Sequence, residues 1–170
     1  MGDSSREAAP PWLTEAISGF ARSELFERTF QEGMDLVEET AAYLDGAGRQ
    51  DSKQLSRNAA LVYAAESMRL TTRLMQLASW LLVQRAVREG DMAPESARQA
   101  SYRLTADAES EAARAAAVSL PARLADLLDR SERLFDRVRH LDARIYADGA
   151  DTAPHPVLAQ IERLKDAFGA

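Results

Sequence analysis

Residues 52–88 decide the fold. They read SKQLSRNAALVYAAESMRLTTRLMQLASWLLVQRAVR and contain neither glycine nor proline, the residues that most often interrupt a helix. The stretch therefore predicts one long helix, with Asp51 or Ser52 as its N-cap and Gly90 as its end. At about 1.5 Å per residue, such a helix is roughly 55 Å long. Its second half, 70–87, is apolar on nearly every side, which predicts burial on most sides.

Two lines of apolar side chains run along this predicted helix, roughly 100° apart around its axis. The first line recurs at spacings of three, four and seven and consists of Tyr63, Leu70, Leu74, Leu77 and Leu81. The second line recurs at spacings of seven and consists of Leu61, Met68, Met75 and Leu82. Because the core of a bundle needs one such line, the second line predicts contact with an additional partner.

The C-terminal part of the same helix adds a surplus of large apolar side chains, Trp80, Val83 and Val87. Leucines are already available for the core, and large apolar patches seldom stay exposed on monomers, so we favour an intermolecular surface over core packing. The predicted dimer or partner interface consists of Met68, Met75, Trp80, Leu82, Val83 and Val87.

A polar group, Glu66, Arg69 and Arg73, lies on the same helix at spacings of three and four. Two interpretations remain open for it. The first is an intrahelical ion pair at the edge of the core, and the second is a polar island within a hydrophobic interface.

The flanking sequence predicts two further long helices. One runs from about 23 to 44 and stops at Gly46, where glycine can adopt the left-handed conformation that ends a helix. The other begins at Ser119 as N-cap, tolerates Pro121 in its first turn and ends at Asp148. Its apolar positions follow the four-three alternation typical of left-handed bundles. They are Leu120, Leu124, Leu127, Ser131, Leu134, Val138, Leu141 and Ile145.

These elements predict an all-α fold, a three-helix bundle with one long central helix that forms a dimer. Between the long helices, Pro94 opens a short helix to about Leu104, and 105–118 is a partly helical connector. The domain prediction is a flexible N-terminal arm (1–22), a helical bundle (23–147) and a flexible tail (148–170).

The tail is predicted to contain a short amphipathic helix. About a dozen residues make an isolated helix marginal in water, so we expect it to fold only on docking. Its apolar edge could dock on a partner or on the chain's own bundle, and both alternatives stay open. That edge consists of Leu158, Ile161, Leu164 and Phe168.

The composition excludes several classes of function. The chain has no cysteine, which excludes disulfides and thiolate chemistry, and its net charge of −6 disfavours nonspecific binding to nucleic acid. The sequence has no run of about 18 uncharged apolar residues and no signal-peptide pattern. We therefore expect a cytoplasmic protein without membrane insertion.

No pattern predicts catalysis, a metal or a cofactor. The Glu-x-x-His and paired-cysteine spacings of metal sites are absent, and we interpret His140 and His155 as structural or solvated. Gly46 and Gly48 imitate a phosphate loop only vaguely and are better explained as a turn between helices. The residues predict a non-enzymatic interaction protein.

Five stretches carry a specific resemblance to a known family. They are EGMDLVEETAAYLDG (32–46), RQDSK (49–53), AESMRLTTRLMQLASWLL (65–82), LPARL (120–124) and RSERL (130–134). These stretches are similar to the alphaproteobacterial RcdA family, the regulators of CtrA degradation. The resemblance covers about 23–147, whereas the connector 105–118 and both termini lie outside it.

The resemblance implies a dimeric three-helix bundle that acts as an adaptor for the ClpXP protease. In that scheme the receiver-domain protein CpdR primes the protease. The adaptor joins the primed protease and tethers cargo transcription factors, or a cyclic-di-GMP-binding adaptor that presents CtrA. The adaptor performs no chemistry and raises the effective concentration of cargo at the protease. The alternative function is a structural or polar-localisation dimer, concentrated at a cell pole and without a proteolytic role.

Overall fold

The chain is all helical in its described part. The computed structural model describes residues 11, 12, 15, 19, 23–105 and 120–147, and these residues contain no strand. Between residues 23 and 147, the described part contains five α-helices: α1 (Glu24–Asp45), α2 (Ala47–Lys53), α3 (Arg57–Glu89), α4 (Pro94–Ala97) and α5 (Ala122–Ala147). A 3₁₀ turn, Ala100–Tyr102, follows α4. The three long helices α1, α3 and α5 pack together, which confirms the predicted all-α bundle.

Helix α1 begins and ends close to the predicted positions. The Ser23 side chain caps its N-terminus by accepting a hydrogen bond from the Phe26 N–H at 3.2 Å. At the other end, the prediction of a left-handed glycine is wrong, because Gly46 has φ −111° and leads directly into α2. A left-handed glycine does end α3, where Gly90 has φ 82°.

The predicted long helix is interrupted near its start. Residues 47–53 form the separate helix α2, and α3 begins only after Ser56, whose side chain accepts from the Ala59 N–H at 3.3 Å. Neither Asp51 nor Ser52 is an N-cap, because both lie inside α2. The Asp51 carboxylate instead accepts a hydrogen bond from the Tyr43 phenol at 2.9 Å. Burial and this carboxylate raise the pKa of the Tyr43 phenol. This contact holds α2 against the end of α1. It explains why the predicted long helix breaks between α2 and α3, although that stretch contains no glycine or proline.

The described contacts fix the directions of the long helices. Helix α1 is antiparallel to α3, since Glu27 near its start pairs with Arg88 near the end of α3. Helix α5 is parallel to α3, because Arg73 contacts Ser131 and, further along both helices, Gln84 contacts Tyr146. Residues 90–121 therefore connect the end of α3 to the start of α5 at the other end of the bundle.

The core consists mainly of leucines at the predicted positions. The first apolar line of α3 is buried, and so are most members of the four-three line of α5. The buried members of the two lines are Tyr63, Leu70, Leu74, Leu77, Leu81, Leu124, Leu127, Ser131, Leu134, Val138 and Ile145.

Two predicted helix boundaries differ from those in the structure. Helix α5 starts at Ala122, and the Pro121 carbonyl accepts from the Ala125 N–H at 3.0 Å, while Ser119 lies outside the described residues. The short helix predicted from Pro94 to Leu104 is broken into α4 and the 3₁₀ turn. Residues 106–119 and the tail 148–170 lie outside the described part, as does most of the arm, from which Trp12 packs against the core.

Candidate interaction surface

Four large apolar side chains are exposed along α3. Leu61 is 65% exposed, Met68 72%, Met75 68% and Leu82 52%. They are the second line of the sequence prediction and recur once per heptad, so they lie on one side of the helix. We call these four residues the exposed line. Methionine side chains adapt to differently shaped partners, and two of the four positions are methionine.

A groove between α1 and α3 lies beside the middle of this line. Its volume is about 310 Å³, and Met75 forms one wall. Val37, Ala41 and Leu44 contribute the α1 side, and Leu74 contributes the floor of the α3 side. The exposed line and this groove together provide a mainly apolar surface that would lose contact with water on binding another protein.

Three residues of the predicted interface do not lie on this surface. Trp80 is 1% exposed, and Val83 and Val87 are also buried within the chain's own core. The prediction that these side chains form a surplus apolar face is wrong. It assumed that α3 packs only against the two other long helices. Met92 and Ala97, from the segment after α3, also pack in this part of the core.

A buried polar network attaches that segment to the bundle. The Trp80 indole N–H donates to Asp142 Oδ1 at 2.8 Å, and the Arg103 guanidinium lies 2.8 Å from the same oxygen. Arg103 also stacks 4.4 Å above the Tyr146 ring, whose hydroxyl accepts from the Gln84 amide at 2.8 Å. Burial raises the pKa of the Tyr146 phenol. This network therefore explains why Trp80 faces α5 rather than a partner.

Asp142 and Arg103 are two residues of this network that the sequence did not predict. A second line on α5, at spacings of three and four, could have indicated the first of them, since an acid among aromatic and aliphatic neighbours predicts a buried partner. That line consists of Phe135, Val138, Asp142 and Tyr146, all buried. No comparable sequence pattern surrounds Arg103, because this residue lies in the segment between the long helices α3 and α5.

The polar group of α3 also belongs to the edge of the core. Arg69 lies 3.8 Å from Glu66 within the helix, and Glu66 is buried. Arg73 is buried and donates to the Ser131 hydroxyl at 3.2 Å. The geometry favours the intrahelical pair at the core edge over a polar island in an interface.

The arrangement offers surfaces for binding proteins. Within the described residues, no cluster of His, Asp and Glu could hold a metal ion, and no helix is long and apolar enough to cross a bilayer. His140 is exposed, with its ring Nδ1 2.7 Å from the Asp136 carbonyl. His155 and the predicted tail helix, Leu158, Ile161, Leu164 and Phe168, lie outside the described residues.

A helical bundle with an exposed apolar line on its central helix is typical of proteins that bind other proteins. The family described as "Protein of unknown function (DUF1465)" matches residues 17–168. A crystal structure of RcdA from Caulobacter crescentus CB15 is similar, with 68% sequence identity and a TM-score of 0.64. The similarity covers 76% of this chain and 98% of that chain. No match was found among the curated proteins.

The chain belongs to this family, which is the family of RcdA. The resemblance found in the five sequence stretches is thereby confirmed.

Proposed function

We propose that the chain is a non-enzymatic adaptor that joins the CpdR-primed ClpXP protease to its cargo. The observation that carries this proposal is the 68% identity to RcdA over 98% of that chain. The cargo consists of CtrA and other transcription factors, presented directly or through a cyclic-di-GMP-binding adaptor. The protein works in the cytoplasm and concentrates at a cell pole.

Tethering explains how such a protein can act without chemistry. An adaptor that binds both protease and cargo turns a bimolecular encounter into an intramolecular one, with an effective cargo concentration in the millimolar range for short links. Each contact can then be weak. The exposed line supports this mechanism, because accessible apolar side chains at a regular spacing suit a helical or strand-like partner segment.

The direct test is a reconstituted degradation assay. ClpXP, CpdR, a CtrA cargo and the cyclic-di-GMP-binding adaptor with its nucleotide are mixed with and without the purified chain, and cargo turnover is followed over time. We expect turnover to require the chain together with CpdR, and omission of either should return it to the level without adaptor. Equal turnover with and without the chain would contradict an adaptor role.

The alternative function, a structural or polar-localisation dimer, is separated from the adaptor by the same components. A structural dimer would be retained by neither ClpX nor CpdR in a pull-down. Retention by CpdR-loaded ClpX supports the adaptor, and its absence, combined with intact polar localisation in cells, supports the alternative.

We further propose that the chain forms a homodimer through the exposed line. Light scattering at micromolar concentration should give twice the 18.7 kDa chain mass. Met68→Glu with Met75→Glu should shift this mass toward that of the monomer, since two charges cannot be desolvated cheaply in an interface. Met68→Leu with Met75→Leu is the matched control and should remain dimeric. A monomeric wild type would contradict the dimer.

Removal of the tail tests the predicted domain boundary. Truncation after Asp148 should leave helicity and melting temperature nearly unchanged, because the core residues of the described part extend only to Tyr146. Cargo turnover in the reconstituted assay should change. Loss of helical signal in the truncated chain would mean that the tail belongs to the core and that the boundary is wrong.

A further inference from the structure

The seam between α1 and α5 carries interhelical ion pairs at heptad intervals. Glu39 lies 2.8 Å from Arg130, and Glu32 lies 2.5 Å from Arg137. The glutamates are one heptad apart on α1 and the arginines one heptad apart on α5. Because the helices are antiparallel, each step of seven toward the start of α1 is a step of seven toward the end of α5.

The ladder of ion pairs stops at the next step. One further heptad brings position 25 opposite position 144, and both line one groove between the two helices. Position 25 is an exposed leucine instead of a glutamate. Arg144 is exposed and makes no ion pair within the described part of the chain. An apolar side chain and an unneutralised guanidinium thus lie together at the surface.

The groove itself is large, and of its arginines Arg144 alone lies outside the ion pairs of the described residues. Its volume is about 820 Å³, which is in the range of protein pockets that take ligands, roughly 300–1,000 Å³. Four arginines line it, and three of them pair with carboxylates: Arg28 with Glu24, Arg133 with Asp129 and Arg137 with Glu32. The lining arginines are Arg28, Arg133, Arg137 and Arg144, and the lining carboxylates are Glu32 and Asp136. The guanidinium of Arg144 therefore supplies the positive charge that an anionic partner would meet in this groove.

We propose that this groove, the α1–α5 groove, binds an acidic segment of a partner protein. A carboxylate of the segment pairs with Arg144, where the ladder lacks its glutamate, and an adjacent apolar side chain packs on Leu25. An inorganic anion would pair with Arg144 but would not contact Leu25. One guanidinium outside an ion pair disfavours an anionic membrane as the occupant, since binding to anionic lipids uses clusters of basic residues.

This site goes beyond the proposed function, because it lies on a different seam from the exposed line and binds without the protease. Its occupancy can be measured on the purified chain alone. Failure of the peptide experiment below therefore leaves the adaptor proposal standing, and failure of the degradation assay leaves the peptide site standing.

The test is a fluorescence anisotropy titration of the full chain. The probe is a fluorescein-labelled synthetic helix-forming peptide of about ten residues, with glutamates and leucines alternating along one face. Two matched probes replace its glutamates by glutamine or its leucines by serine. We expect saturable binding of the acidic leucine peptide and about tenfold or weaker binding of each matched probe, with affinity falling at high salt.

Three variants locate the binding. Arg144→Glu should weaken binding by about tenfold or more, since it reverses the charge that receives the carboxylate. Leu25→Glu should weaken it similarly while keeping the fold, because the new glutamate completes the ion-pair ladder with Arg144. Arg123→Glu is the control: Arg123 lies 3.5 Å from Glu39, outside the groove, and its replacement should leave binding within about twofold.

Two results would overturn the proposal. One is absence of binding to the full chain, including the case in which another segment of this chain fills the groove. The other is binding that Arg144→Glu and Leu25→Glu leave unchanged although circular dichroism shows both variants folded.

Discussion

Trp80→Glu is expected to unfold the bundle. Trp80 is 1% exposed, and its indole N–H donates to the buried carboxylate of Asp142. Glutamate would leave a cavity, remove that donor and add a second carboxylate beside Asp142. An uncompensated buried charge and the lost packing together cost about 5 kcal/mol or more. That is comparable with the whole free energy of unfolding of a typical domain, about 5–15 kcal/mol.

The measurement is far-ultraviolet circular dichroism of the purified variant over a thermal scan. Trp80→Phe serves as the matched control, because it keeps a buried aromatic ring and adds no charge. It loses the indole donor and part of the ring volume, so it should remain folded with a lower melting temperature. A Trp80→Glu chain that melts like wild type would mean that Trp80 lies at a surface after all.

Arg103→Met is expected to destabilise the chain by about 2–4 kcal/mol. Arg103 is the cation that neutralises Asp142, whose side chain is only 5% exposed, and it also stacks on Tyr146. Its removal leaves a buried carboxylate with the Trp80 N–H as its remaining described donor. Urea unfolding followed by circular dichroism measures the change in free energy of unfolding.

A double-mutant cycle separates charge from packing at this position. Asp142→Asn still offers an oxygen to the Trp80 N–H but carries no charge, so adding it to Arg103→Met should recover part of the lost stability. Additive losses in the two variants would contradict a charge-based role for Arg103 in holding the segment after α3.

Periodicity in the sequence was sufficient to predict the helical core. The line from Tyr63 to Leu81 and the four-three line of α5 are spaced so that each falls on one side of its helix, and packing between helices requires such faces. The exposed line was also predictable, because its members recur every seven residues on a side that the core line does not use.

The assignment of Trp80, Val83 and Val87 could not be made from periodicity alone. Burial of these side chains depends on Asp142, sixty-two positions further along for Trp80, and on the segment after α3 that brings Arg103 back onto the bundle. The break before α3 escaped prediction for a similar reason. It depends on the Tyr43–Asp51 hydrogen bond and on Ser56 as an N-cap, in a stretch whose residues all tolerate a helix.

The most direct test of the proposed adaptor is the rate of cargo degradation with variants of the exposed line. ClpXP, CpdR, the CtrA cargo and the cyclic-di-GMP-binding adaptor with its nucleotide are combined with wild type, with Met68→Glu plus Met75→Glu, or with Met68→Leu plus Met75→Leu. Both positions are exposed within one chain, so all three chains should have the same helicity. We predict that the glutamate pair lowers adaptor-dependent degradation by about tenfold or more while the leucine pair stays within about twofold of wild type. Degradation at the wild-type rate with the folded glutamate pair would contradict the claim that this line is the surface through which the chain acts.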